Sequence, residues 1–170
     1  MNQILNQLVI RLTIEDDWEV LKKIRLKSLL DSPHAFSVHY ETVEKYHEQE
    51  WRRRASQKSH CQYILAILGT HAVGIIGGTV SAMQEFNIIA MWVDVEFRGT
   101  GVADRLMFAI KDLAVSKGFN KVVLNLSPNN SKAVYFYTKH NFVFLTEKES
   151  LSEDLDGGSR KMECTWLLER

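Results

Sequence analysis

Two prolines and two cysteines are all that this chain of 170 residues contains of either. With so little proline and no tract rich in proline and glycine, no linker divides the sequence and no low-complexity stretch interrupts it. Cys61 and Cys164 lie far apart and fit no metal or redox spacing, so no metal is expected. Reduced, packed thiols in a cytoplasmic protein are the expectation, not a disulfide scaffold. No apolar run is long enough to span a bilayer. The start, Met1 to Gln7, lacks the charged and apolar regions of a signal peptide. An excess of charge is missing too: 21 Lys+Arg face 21 Asp+Glu, a formal net charge of +0. No global field draws nucleic acid, an anionic membrane or an acidic partner. What remains is an ordinary globular composition, 45% hydrophobic and 25% charged. The length suits one domain, residues 1–170, with a proper core as a monomer or homodimer.

The apolar pattern gives the elements. Leu8 to Leu12 alternates loosely and reads as a strand. Thr13 to Asp17 offers helix-start residues before Trp18, and Val20, Ile24 and Ser28 then share a face with Leu21 and Leu29 beside it. Ser32-Pro33 ends that helix. Glu41 to Ser56 is a second, highly charged helix with Val43, Tyr46, Glu50 and Trp51 at helical spacing. Tyr63 to Leu68 and Ala72 to Val80 form a hairpin around Gly69-Thr70-His71. Gly74, Gly77 and Gly78 in its second strand predict a bulge or a close backbone approach. Ile88 to Val93 is a buried strand. A helix begins near Thr100, buries Val102, Leu106, Ala109, Ile110 and Leu113, and stops at Lys117-Gly118. Lys121 to Leu126 is another strand, and Asn130 to His140 a short helix with Asn129 or Asn130 as its cap and Asn141 at a left-handed end. Val143 to Ser150 and Lys161 to Leu167 close the chain as a hairpin around Asp156-Gly157-Gly158. The order β-α-α-β-β-β-α-β-α-β-β is an α/β fold, an α+β arrangement with a mixed sheet and helices on its faces.

Between the strand ending at Val93 and the following helix stands Arg98-Gly99-Thr100-Gly101-Val102-Ala103. Glycines let backbone N–H groups approach a ligand, and a helix start adds unpaired donors and the positive end of a dipole. Together they suit phosphate or pyrophosphate. A Walker loop is absent, and a dinucleotide fingerprint fails because its third glycine position is Asp104 and no acidic residue follows at the required distance.

The run instead resembles the acyl-CoA loop of the Gcn5-related N-acetyltransferase superfamily, Arg/Gln-x-x-Gly-x-Gly/Ala. A second stretch, Asn130, Ala133, Phe136, Tyr137 and Phe142, resembles that family's Asn-x-x-Ala-x-x-Leu/Phe-Tyr-x-x-x-Gly-Phe, with Asn141 in place of the glycine. The layout matches across nearly the whole chain. The resemblance implies an acetyl-CoA-dependent N-acetyltransferase, with the pantetheine arm entering where the strand before the loop splays from the next. It places cofactor contacts at Val93, Val95, Arg98, Gly99, Thr100, Gly101, Val102, Ala103 and Asn130. A backbone N–H near Val93 would face the thioester oxygen, and the Tyr137 hydroxyl would face the leaving thiolate. Tyr135 is the rival tyrosine on another helical face. Asn130 serves as a helix cap, a pantetheine contact, or both.

The general base stays open. Some protein N-terminal acetyltransferases of the superfamily carry a Glu where this chain has Asn125. Glu96, Asp94, His34 and Glu41 are alternatives, as is water alone. The acceptor also stays open: a small-molecule amine leads, a peptide amine follows, and a non-catalytic acyl-CoA-binding protein is the third reading. The resemblance assigns acceptor contacts to Ser32–Tyr40 and to about Ser150–Arg160, where Glu153, Asp154 and Asp156 carry negative charge.

Overall fold

The computed structural model describes residues 6–146 and 158–166. Within them run β1 (Leu8–Leu12), α1 (Trp18–Asp31), α2 (Tyr40–Val43), α3 (Glu48–Ala55), β2 (Cys61–Leu68), β3 (His71–Val80), β4 (Phe86–Val93), α4 (Val102–Ser116), β5 (Lys121–Leu126), α5 (Ser131–Lys139), β6 (Val143–Phe144) and β7 (Arg160–Thr165). The strands follow the order β1-β2-β3-β4-β5-β7-β6, a mixed sheet in which β4 and β5 alone are parallel among the registered pairs. The chain clusters into two compact units, Met1–Thr79 with Ile89–Ile110, and Val80–Ile88 with Lys111–Arg170.

In the first unit, β1, β2 and β3 are antiparallel neighbours, with Ile10 opposite Ala66 and Ile64 opposite Ile76. Leu21, Ile24 and Leu29 of α1, Val43, and Trp51 and Ala55 of α3 pack on Tyr63, Leu65, Ile75, Ala90 and Trp92. This row of apolar side chains supplies the main burial of the unit. α1 ends at Asp31, where Ser32 N–H closes the last turn on Ser28 C=O at 3.0 Å and Pro33 prevents another. The close approach expected of β3 is at Gly74. A β-carbon there would stand 2.9 Å from Leu106 Cδ1 and 3.1 Å from Val102 Cγ1, so its absence lets α4 seat against the strand. Gly77, on the other face, leaves room for Ile89 and Tyr63, whose atoms lie 3.0 and 3.1 Å from its missing β-carbon. The register shifts beside Gly74: Ala66 pairs with Gly74 and Ile67 with Ala72, so Val73 is an extra residue in β3, the bulge expected of that strand.

In the second unit, β5 pairs with β7 from Lys121↔Thr165 to Leu126↔Arg160, and β7 pairs with β6 at Val143↔Glu163. The start of β4 joins β5 in parallel at Asn87↔Val123. Across these strands Lys161 donates to Glu85 at 2.6 Å and Lys121 to Glu163 at 3.0 Å. Phe86 meets Phe119 with ring centroids 5.5 Å apart.

Several boundaries depart from the sequence pattern, β2 among them, which begins at Cys61, ahead of the expected Tyr63. The single helix expected over Glu41–Ser56 is broken into α2 and α3. Tyr46 and Trp51 are five residues apart, which on one continuous helix sets them about 140° around the axis. With the break their rings approach to 5.9 Å, and His47 C=O starts α3 by accepting from Glu50 and Trp51 N–H. β4 begins at Phe86, two residues before the expected Ile88, because Phe86 is itself buried. α4 begins at Val102, after the glycine turn, and buries Met107 and Ala114 beside Val102, Leu106 and Ile110, a stripe rotated from the expected Ala109 and Leu113. The closing hairpin is seen as Val143–Phe144 and Arg160–Thr165, while Glu153, Asp154, Asp156 and Gly157 lie outside the described residues.

Candidate functional site

After β4 the first unit turns sharply. A short 3-10 turn, Val95–Phe97, leads to Gly99 with φ +76° and Gly101 with φ +93°. Both angles lie in the left-handed region that glycine enters without a side-chain clash. Thr100 Oγ1 donates to Phe97 C=O at 2.5 Å and pins the turn between them. The first helical bond is Arg105 N–H to Gly101 C=O, 3.2 Å. The N–H groups of Gly101, Val102 and Ala103 therefore precede any intrahelical acceptor. Val102 is buried and anchors the helix start, whereas Gly99 has open space where a side chain would be. The result is a row of backbone donors at the positive end of a 15-residue helix, a geometry that suits an anion.

Arg98 takes part in a second way. Its Nε donates to Val93 C=O at 2.9 Å, and its terminal nitrogen lies 2.5 Å from the Asp31 carboxylate at the end of α1. The same carboxylate oxygen accepts from Trp92 Nε1 at 2.9 Å. These bonds, Trp92 first and then Arg98 and Ser32, hold the Asp31 carboxyl down to about 2. The end of β4 and the start of the loop are thus tied to the last turn of α1. Val93 closes the strand and is buried; Val95 is exposed on the 3-10 turn. Asp94 N–H donates to Val73 C=O at 2.9 Å, and its carboxylate is ion-paired with Lys27.

β4 carries one irregularity the sequence pattern does not show. Ala90 has φ +57° in mid-strand, a left-handed residue with a β-carbon. Such a residue re-aims neighbouring peptides as a bulge does. It stands three residues before Val93, in the region assigned to the thioester contact.

In the second unit Asn130 caps α5, its side chain accepting from Ala133 N–H at 3.2 Å. Asn141 ends the helix at φ +66°, as a left-handed position requires. Tyr137 is the buried residue of α5, its ring edge-on to Phe136 and Phe142 at centroid distances of 5.3 and 5.5 Å. Burial pushes its phenol pKa up, so the hydroxyl keeps its proton throughout the neutral range. Tyr135, by contrast, is 74% exposed.

Of the candidate bases, Glu96, His34 and Glu41 are exposed, and Asp94 is already committed to Lys27; Asn125, whose carboxamide cannot act as a base, is exposed on β5. Glu96 and Asp94 line a cavity of about 580 Å³ with Glu19, Lys23, Lys27 and His71. Among the described residues, no group of three or more His, Cys, Asp or Glu side chains is placed to hold a metal ion, and no helix is long and apolar enough to cross a membrane. Both cysteines are free thiols.

Comparisons with known proteins bear on the fold and the family. Acetyltransferases of the GNAT family from Staphylococcus aureus Mu50 and Streptococcus pneumoniae superpose with a TM-score of 0.72 each, at 16% and 20% identity. They cover 93% and 94% of this chain and 98% and 99% of their own. The PaiA N-acetyltransferase of Thermoplasma acidophilum, solved with coenzyme A, superposes at 0.68 with 18% identity over 94% of this chain and 99% of its own. At such identities the likeness shows a shared fold. No curated protein sequence matches the chain. The model of the acetyltransferase (GNAT) family matches residues 24–142, a span that includes the glycine turn, Asn130 and Tyr137. The chain therefore belongs to the GNAT acetyltransferase family, whose fold binds acetyl-CoA.

Proposed function

We propose that this protein moves an acetyl group from acetyl-CoA to a primary amine, leading with small-molecule amines, by direct attack in a ternary complex. The observation that carries the reading is the loop Arg98–Ala103. Two left-handed glycines and a helix start supply the donors that a pyrophosphate needs, immediately after the strand whose backbone is re-aimed at Ala90. The coenzyme A complex of the Thermoplasma acidophilum relative supports the same ligand class.

In this reading Gly99, Thr100, Gly101, Val102 and Ala103 bind the pyrophosphate, and backbone groups at Val93 and Val95 orient the acyl arm. Asn130 both caps α5 and offers its amide to that arm. The amine nitrogen bonds to the carbonyl carbon, the C–S bond breaks, and the sulfur departs with the electron pair. Tyr137 serves that sulfur as a hydrogen-bond donor. A thiol has a reference pKa of about 8.5 and a phenol about 10, and burial raises Tyr137 further. Full proton transfer from Tyr137 to a thiolate therefore runs uphill, whereas a strong hydrogen bond to developing charge does not. With the candidate carboxylates exposed or paired, the ammonium loses its proton to water. Two free thiols fit a reducing, cytoplasmic setting.

The test is a panel of small amines and peptides incubated with acetyl-CoA, read by release of free thiol and by mass of the product. Acetylated amine with stoichiometric thiol is the expected result. Tight acetyl-CoA binding without transfer to any member would favour a non-catalytic binding protein. Transfer confined to peptides would move the acceptor class.

A further inference from the structure

Arg25 is set apart from the other arginines around it. Arg11, Arg52, Arg53, Arg54 and Arg98 each have a carboxylate partner within 3.4 Å. Arg25 has none among the described residues. Its guanidinium, half-buried on α1, donates to Ser28 Oγ at 3.3 Å and lies 4.6 Å from the centre of the Phe36 ring. Its remaining electrostatic neighbours are the Tyr63 hydroxyl, the Cys61 thiol and the Arg54 guanidinium. Desolvation pulls its pKa below the ordinary value, and the Arg54 guanidinium adds a smaller push in the same direction. An arginine brought out of water needs an anion in a planar, two-point pairing to offset that cost.

Its position relates it to the chemistry. Phe36 belongs to the segment Ser32–Tyr40 that follows α1. The Tyr63 ring lies over the space left by Gly77, and Ile89 meets it there from β4. Ile89 directly precedes the left-handed Ala90. Arg25, Tyr63 and Ile89 thus lead along one face of the first unit to the strand that the transferase reading gives to the acyl group.

We propose that the acceptor carries a carboxylate besides its amine, and that Arg25 receives that carboxylate against the rings of Phe36 and Tyr63. The amine part rests on the transferase reading; the carboxylate part rests on Arg25 alone. The acceptor class is then an amino acid or a similar amino carboxylate, not a simple amine or a polyamine.

The experiment compares matched pairs: the common amino acids and β-alanine against their decarboxylated amines, each with the intact protein and acetyl-CoA. Turnover is read by thiol release, and binding to the CoA-loaded protein by calorimetry. Among pairs with any activity, the carboxylate member should be preferred roughly 10²-fold, as expected when a half-buried charged partner is left empty. Arg25→Gln should bring that ratio close to one, and Arg25→Lys should restore part of it. Acetyl-CoA binding by the variants reports that they are folded; should neither fold, the wild-type ratio decides. Equal or absent binding of both members, or a preference that survives Arg25→Gln, overturns the proposal. Arg25-dependent carboxylate binding without thiol release would leave this inference standing and sink the transferase reading instead.

Discussion

Asp31 and Arg98, 67 residues apart in sequence, meet at 2.5 Å, and Trp92 donates to the same carboxylate oxygen. The carboxylate is held at about 2, so its ionised form favours the folded state. That contribution is present above the unfolded pKa of about 3.9 and is lost as pH falls towards 2. Both partners are a third to a half exposed, which screens the pair. Asp31→Asn should therefore cost roughly 1 kcal/mol at pH 7. The gap to the parent should close between about pH 4 and 2. Urea unfolding at pH 7 and at pH 2.5 measures it, and equal stability at pH 7 would show that the network adds nothing.

Gly101→Val should abolish acetyl-CoA binding. At φ +93° a β-branched residue is strained and its side chain covers the loop amides. Calorimetric titration checks this, with circular dichroism to show that the variant is folded. Unchanged affinity would remove the anion role from the loop. In the parent, acetyl-CoA should raise the melting temperature by mass action.

Tyr137→Phe keeps the edge-on packing against Phe136 and Phe142 and removes only the hydroxyl. Acetyl-CoA affinity should hold while turnover falls roughly 10²-fold. Steady-state kinetics on any working acceptor decide the matter. A turnover number equal to the parent's would give the leaving sulfur to another group or to water.

With Asn125 exposed on β5 and Asp94 tied to Lys27, the acceptor's own ionisation should govern the pH profile. A free alkyl ammonium has a pKa of about 10, so kcat/KM should rise with pH towards that value. Acceptors of lower pKa should shift the rise downwards. The raised pKa of Tyr137 means its ionisation should not cut the rise short below about pH 10. A plateau near pH 6 to 7 that ignores the acceptor would reveal a dedicated base. Glu96→Gln and His34→Gln would then be the first variants to assay.

The parts legible in the sequence are those where a residue type is dictated by backbone geometry. Asn130 announces a helix cap and Asn141 a left-handed helix end, and both stand so, while Gly99 and Gly101, read as sparing side chains near a ligand, prove to be left-handed as well. What escaped the sequence depends on contacts distant along the chain. Ala90 gives no hint of φ +57°, because alanine normally avoids that region and only its surroundings hold it there. Arg98 is read from the motif as a ligand contact, and the sequence gives no sign that its guanidinium also reaches Asp31 and Val93 C=O. The break between α2 and α3 goes with Tyr46 turned onto Trp51, with the Arg54 guanidinium 4.5 Å from the Tyr46 ring centre. Periodicity alone favours a continuous helix through that stretch.

β3 gives up a side chain on each face, Gly74 towards α4 and Gly77 towards Tyr63 and Ile89. The height of the α4 start above the sheet is set by atoms that are missing from a strand, not by atoms in the loop. A single methyl at position 74 would press on Val102, the residue that follows Gly101, and tilt the loop from beneath. The footing of the glycine turn therefore rests on a strand position outside the turn itself, and a side chain added in the middle of β3 would reach it through Leu106 and Val102.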